Sequence, residues 1–292
     1  MIAGVGPALV DHIHLIDRYP SKGEMSTVRK SFKMAGGAVT NVLYGLSKFG
    51  VKSRLYSTIG EDEDAKFFIN VMKEVGVELR LKVTCSETGR VDVYVDSDGE
   101  RTFFVHPNAA GKIEMEMNSS DFQEVDYFYF DPFPSERSLN FHLGIAEKAK
   151  EHEKIVILNP GMPYTSDPEG LLNLLKYTDL VFISEKEYNL LGINEDDFLK
   201  FVKLLVVTMG EKGSIAVSKE IKVEERAFRV NAVDTTGAGD AFAAGFLFAY
   251  FRSSPLNICL KTGNYVASVN IQHYGGKNFP ERSEIERFIE KN

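Results

Sequence analysis

The chain has 292 residues and a net charge of −8, from 34 basic and 42 acidic side chains, with 43% hydrophobic and 26% charged residues. It is long enough to bury a sizeable core. The acidic balance, with no Lys/Arg-rich run, argues against a partner among nucleic acids or anionic membranes. Two distant cysteines, Cys85 and Cys259, fit a reducing cytoplasm and exclude a disulfide framework or a Cys-rich zinc site.

In chain order, Ile2–Leu9 reads as a buried first strand and not a signal peptide, because no basic segment precedes it and it runs into Asp11-His12. No apolar run approaches the roughly 20 residues of a membrane-spanning helix. Thr40–Phe49 has helical spacing, Arg54–Ile59 reads as a strand, and Asp62–Glu74 is helical with Phe67, Phe68, Val71 and Met72 on its apolar side. Further strands are predicted at Tyr127–Phe130, Ile155–Asn159, Leu180–Ser184 and Leu204–Met209. Helices at Leu139–Glu151, Glu169–Leu175 and Glu185–Leu191 alternate with them. Two long helices, Ala238 to about Phe251 and Leu256–Gln272, complete the pattern. Strands alternating with amphipathic helices predict βαβ units and a mostly parallel sheet.

Ser26–Phe32 and Arg90–His106 break that pattern, alternating apolar and polar residues as exposed antiparallel strands do, with Asp96-Ser97-Asp98-Gly99 as a hairpin turn. They predict a small β-sheet lid, from segments at about 12–34 and 88–108, on a single 1–292 domain. No repeat, low-complexity segment or linker divides the chain. The six histidines lack metal-ligand spacing, with His12 and His106 expected at the solvated surface, and Phe103, Phe104 and Phe133 expected in the core. Were one of these aromatics to face the cleft, it would favour a nucleoside base.

The most specific string is Asp234-Thr235-Thr236-Gly237-Ala238-Gly239-Asp240. A Gly-rich turn opening a helix leaves backbone N–H groups unpaired, and with the positive end of the helix dipole it forms an anion site. An aspartate in the first turn can accept a proton from a hydroxyl beside that anion. Charge stabilisation on a moving phosphoryl group and an oriented nucleophile are what phosphoryl transfer needs.

Here the sequence resembles the ribokinase (PfkB) family of carbohydrate kinases, which carries a D-T-x-G-A-G-D string near its C-terminal end. The resemblance implies a three-layer α/β/α sandwich with a small β lid, Mg²⁺ and ATP as cofactors, Asp240 as catalytic base, and an anion hole at Gly237, Ala238 and Gly239. A second signature, Gly36-Gly37-Ala38-Val39-Thr40-Asn41, is followed by Gly50 and by Gly60-Glu61-Asp62 at family-like spacing. It implies that Gly36 and Gly37 admit the sugar to the backbone and that Asn41 holds a sugar hydroxyl. Leu43 departs from the usual small residue, and Ala38-Val39 stands where ribokinases have Lys-Gly, which weakens a ribose assignment. Asp11 falls where the family binds two substrate hydroxyls, and Asp131 where ribokinase turns a glutamate to the sugar.

On the nucleotide side, Thr208-Met209-Gly210-Glu211-Lys212-Gly213 is similar to the family's T-x-G-x-x-G turn, implying phosphate contacts at Thr208, Gly210 and Gly213. Ser184-Glu185-Lys186-Glu187 corresponds to its N-x-x-E motif, with Glu187 organising Mg²⁺ through water and Ser184 replacing Asn. Asn264 matches the adenine border. Carbonyls around Asp234, Thr236 and Gly275 fall where some members hold a monovalent cation such as K⁺.

The expected reaction is ATP-dependent phosphorylation of a hydroxyl on a small molecule. Asp11 and Asp131 favour a neutral sugar or polyol, a nucleoside comes second, and Arg101 and Lys33 keep a sugar acid open as third. A non-catalytic sugar-sensing protein is the alternative of another class. A lid sheet with open edges also implies a homodimer through the lid.

Overall fold

The computed structural model describes residues 1–292. Its strands are β1 (Ile2–Val5), β2 (Leu9–Ile16), β3 (Val28–Gly36), β4 (Ser53–Ile59), β5 (Glu78–Val83), β6 (Gly89–Val95), β7 (Arg101–His106), β8 (Tyr127–Phe130), β9 (Ile155–Leu158), β10 (Leu180–Ser184), β11 (Leu204–Thr208), β12 (Ser214–Val217) and β13 (Lys222–Glu225). Nine of them form one sheet in the order β13-β12-β11-β10-β9-β8-β1-β4-β5, in which β12 alone runs against the others. The other four form a small sheet, β3-β2-β6-β7, in which β2 and β6 run parallel and the outer pairs antiparallel.

Alternation along the strands dictates three layers. Ile2, Ile157, Leu204 and Val206 point to one face, where they join the apolar sides of α1 (Ala38–Lys48) and α2 (Glu63–Glu74). Ala3, Val5, Val156, Leu158, Leu205 and Val207 point to the other. That face is covered by α3 (Ser119–Glu124), α4 (Ser138–Glu151), α5 (Gly161–Thr165), α6 (Pro168–Leu175), α7 (Glu185–Leu191) and α8 (Glu195–Phe198). The first face is completed by α9 (Ala238–Tyr250), α10 (Leu256–Asn270) and α11 (Arg282–Glu290). Of the residues expected on the apolar side of α2, Phe68 and Met72 are buried, while Phe67 and Val71 pack at the margin.

Three differences from the sequence reading have physical causes. The first apolar run is two strands, because the chain leaves the large sheet at Gly6-Pro7, where proline has no N–H to pair. The amide of Ala8 goes to Ser57 Oγ at 2.8 Å, and Leu9 opens the small sheet opposite Gly36. Asp11 therefore sits within β2 and not beyond a strand's end. Second, β5 and β13 lie at the two edges of the large sheet and are rich in Lys, Arg and Glu, which hides the apolar run of a buried strand. Third, Phe103 and Phe104 are 55% and 53% exposed, because β7 is an edge strand; Phe133 is buried as expected.

The α9 helix is apolar almost all round and is buried from Ala241 to Ala249. Phe246 is fully buried, with its ring 5.3 Å from Phe182 on β10 and 6.1 Å from Phe242. Phe246→Ala is expected to lower the unfolding free energy by about 3–5 kcal/mol. Denaturant unfolding at unchanged m-value checks this.

Candidate active site

The α9 N-terminus is set by Gly237, whose φ of +69° makes the left-handed turn into the helix. The Gly239 and Asp240 amides make no backbone hydrogen bond and stay available to an anion. This turn is a wall between two cavities. Asp234 and Thr236 line one of about 530 Å³, and Thr235, Ala238 and Gly239 line another of about 840 Å³.

The smaller cavity lies between the turn and the small sheet. Its lining is mixed: Asp11, Asn41 and Arg101 are polar, while Ile13, Val91, Val93, Phe103, Val233 and Tyr274 are apolar, and Val91 lies directly across from Asp11 on β6. Strand period two selects these residues. Asp11 and Ile13 face the cavity; His12 points away to Asp64 (Nε2 to Oδ2, 2.6 Å), and His106 to Asp92 (2.9 Å). Both histidines are thus carboxylate-bound, where free solvation was expected. Gly36 is required next to Asp11, since a Cβ there would lie 2.4 Å from Asp11 Oδ1. Gly37, with φ +95°, turns the chain into α1. Arg101, at the start of β7, closes the small sheet onto the turn: its Nη1 lies 2.7 Å from Asp234 Oδ1 and also donates to Thr236 Oγ1.

Asp240 accepts a hydrogen bond from Asn41 Nδ2 at 2.8 Å. Burial raises its pKa, with Asn41 and Lys277 pulling it back. Burial likewise pushes Asp11 up to about 6, opposed by Lys277 and reinforced by Asp240. Asp131, 7% exposed at the end of β8, is raised well above the carboxylate range by burial and by Asp240. It is not among the residues lining the smaller cavity; it faces the Val39 amide at the start of α1. Asp234 runs the other way: against burial, the Gly275 and Thr236 amides hold its carboxyl below the usual range.

The larger cavity is lined by Thr208, Gly210 and Gly213 from the turn after β11, with Asn264 and Phe242. Gly210 has φ +58° and Gly213 φ +114°, and a Cβ on Gly213 would meet Glu225 O at 2.1 Å, so the turn tolerates only glycine there. Asn264 lines this cavity, but its amide is spent on the fold: Nδ2 donates to Glu225 O and Arg226 O, and Oδ1 accepts from Ser214 Oγ.

Ser184 and Glu187 form the capping box of α7 at the C-terminal end of β10. Both Ser184 donors go to Glu187 Oε2, at 3.0 and 2.7 Å. With only Oε2 spent, the Glu187 carboxylate suits a hard cation that shares its shell with phosphates and water. The loop of the implied monovalent cation is differently furnished. The Thr236 and Gly275 carbonyls accept from Asn270 Nδ2 (2.9 Å) and Asn278 Nδ2 (2.8 Å), and the Arg101 guanidinium supplies positive charge at Asp234.

The sequence reading passed over Lys277. Its ammonium donates to Ala35 O at 2.6 Å, to Thr40 Oγ1 at 3.2 Å and to Asn41 Oδ1. Burial pulls its pKa down to about 8, opposed by Asp11 and Asp240. The signal in the sequence was Gly275-Gly276-Lys277, a glycine pair that delivers a long polar side chain.

The Asp11 shift has a testable sign. Its folded pKa of about 6 lies above the ordinary 3.8, so the fold favours the protonated form, and this contribution to stability is lost as pH rises from below 3.8 through about 6. The stability of Asp11→Asn relative to wild type is expected to climb over that interval and level off above it, by up to about 3 kcal/mol. Paired denaturation curves at several pH values check it.

A model of the pfkB family of carbohydrate kinases matches residues 1–282. A nucleoside kinase of Methanocaldococcus jannaschii is 31% identical over 303 residues, covering 99% of this chain and 97% of that protein. A probable fructokinase-5 of Arabidopsis thaliana is 29% identical over 80% of this chain and 79% of its own length. Among solved structures, that M. jannaschii nucleoside kinase superposes with a TM-score of 0.86 at 27% identity, covering 100% of this chain and 98% of its own. A ribokinase from Thermotoga maritima superposes at 0.87 and 26%, covering 100% and 99%. No helix here is long and apolar enough to cross a membrane. The chain belongs to the pfkB family of carbohydrate kinases, with the ribokinase fold, and is a phosphotransferase acting on a hydroxyl group.

Proposed function

We propose that the chain transfers the γ-phosphoryl group of ATP to a hydroxyl of a nucleoside, with Asp240 as the base. The observation that carries this reading is the shared wall: one turn, Asp234 to Gly239, borders both a donor-side and an acceptor-side cavity, and Asp240 lies just behind it, bonded to Asn41 of the acceptor side. The donor's phosphates fit the cavity of Thr208, Gly210 and Gly213, and the acceptor fits the cavity of Asp11 and Asn41. The Gly239 and Asp240 amides then stabilise charge on the transferred group, while Asp240 takes the hydroxyl proton. Glu187 is the residue to hold Mg²⁺, which neutralises phosphate charge when bound. Arg101 already serves the Asp234 loop as a cation, so the reading does not call on K⁺.

The acceptor class follows from the cavity's mixed lining. Asp11 and Asn41 suit a polyhydroxy ring, whereas Phe103, Val93 and Tyr274 suit a flat apolar appendage such as a base. A neutral sugar or polyol is the second reading, resting on the polar residues alone. Asp11 and the pairing of Arg101 with Asp234 place a sugar acid below both. Exposed Val28 and Phe104 on the small sheet support a homodimer through it.

Nucleosides are expected to exceed free ribose in kcat/KM by at least about tenfold, and Phe103→Ala to shrink that ratio. Asp240→Asn is expected to cost about 10²–10⁴ in kcat. Mg²⁺-dependent ATP consumption over nucleosides, sugars, polyols and sugar acids reads all three. Preference for a free sugar favours the second reading, and full activity in Asp240→Asn overturns the mechanism. Light scattering is expected to give a dimer mass that falls to the monomer in Phe104→Glu.

A further inference from the structure

Lys277 is the basic side chain in contact with Asn41 at the acceptor end of the site, and its surroundings restrict what it can do. An ammonium has three donors and no acceptor. All three donors are taken, by Ala35 O on β3, Thr40 Oγ1 on α1 and Asn41 Oδ1. Thr40 is itself tied down, its hydroxyl contacting Gly36 O at 2.6 Å and Gly37 O at 2.8 Å. Lys277 therefore has no proton left for a substrate oxygen, and a role in gripping the acceptor or a phosphate does not follow from this geometry.

Its contact with Asn41 has a further effect. A primary amide can present either end to a neighbour. Because an ammonium only donates, the Asn41 end facing Lys277 must be Oδ1, and the end facing Asp240 must be Nδ2. That amide then donates to Asp240 Oδ2 at 2.8 Å. The three residues form a directed chain, Lys277 to Asn41 to Asp240, in which each donor is fixed by the one before.

Charge makes the same case independently. Asp240 shares this end of the sheet with Asp11 on β2, Asp131 and Tyr129 at β8, and Lys277 beyond α10. Carboxylates crowded in poorly solvated surroundings do not stay ionised together without positive charge nearby. A base that is protonated at working pH is no base.

We infer that Lys277 is a positioning residue for Asp240: it orients the Asn41 amide toward the base and supplies the positive charge that keeps the base ionised beside Asp11. The inference rests on the reading of Asp240 as the base. Lys277 touches neither of the reacting groups and acts through Asn41 and through its field.

The test is the pH dependence of turnover by the full chain in Lys277→Met, which removes both donor and charge, and Lys277→Gln, which keeps donors and removes the charge. Both are expected to fold and to show the acid limb of kcat/KM moved to higher pH by about one unit or more, with KM for ATP unchanged. Lower activity with an unmoved acid limb in both variants would reduce Lys277 to packing and overturn the inference. A second readout does not need turnover: ¹³C NMR of aspartate-labelled protein, with the Asp240 carboxyl assigned by its loss in Asp240→Asn. Its titration is expected to move up in Lys277→Met, and an unchanged midpoint overturns the inference for any acceptor. Absent turnover in wild type, or turnover retained in Asp240→Asn, would instead sink the kinase mechanism, while the NMR midpoint still decides the role of Lys277.

Discussion

The site depends on a contact between two backbones that only glycine permits. A Cβ on Gly237 would lie 2.5 Å from Gly276 Cα, and one on Gly276 would lie 2.7 Å from Asn41 Nδ2. Real Cβ atoms do not approach so closely, so any side chain at either position drives the α9 turn, the Gly275–Lys277 loop and α1 apart. Their close approach puts Asn41 within hydrogen-bonding reach of both Asp240 and Lys277. It also places the α9 turn between the two cavities. The glycines give up backbone entropy and gain proximity, a trade that makes sense where reacting groups must be held in register.

That proximity has an electrostatic cost, which the fold offsets elsewhere. Asp11, Asp131 and Asp240 all have pKa values raised by burial, and Lys277 has one lowered by it. Each shift marks a group less comfortable charged in the fold than in water. The fold tolerates this because its stability is drawn from two large apolar layers on either side of the sheet. Structural carboxylates behave in the opposite way. Asp179, where amide and lysine bonds outweigh burial, is held below its ordinary value by Lys150, the Val156 amide and Lys203. Among the carboxylates, the values raised by burial fall together at this site, which is the pattern of a site shaped for chemistry.

Much of this was legible because glycine and periodicity are local signals. The string from Asp234 to Asp240 announces a turn with positive φ followed by a helix, and the parallel strands announce themselves as short apolar runs. The family resemblance and the α/β/α architecture drawn from these signals are borne out by the family match and the superposed structures. What stayed hidden is set by contacts between distant segments. Pro7 sends β2 into a second sheet, which turns Asp11 inward and His12 outward, yet the run Ile2 to Leu9 reads as continuous. Phe103 looks like a core aromatic until the edge position of β7 is known. Asn264 matches a nucleotide border, but its amide is committed to Glu225, Arg226 and Ser214. Lys277 is an ordinary lysine in sequence, and its meaning comes from oxygen atoms on β3 and α1.

Arg101 connects the second sheet to the same chemistry. Its guanidinium reaches Asp234 and Thr236, the residues of the turn that face the smaller cavity. The small sheet and the turn that opens α9 are therefore joined by one side chain. Two segments far apart in sequence, β7 and the Asp234–Asp240 string, are held in register across the cavity by this contact.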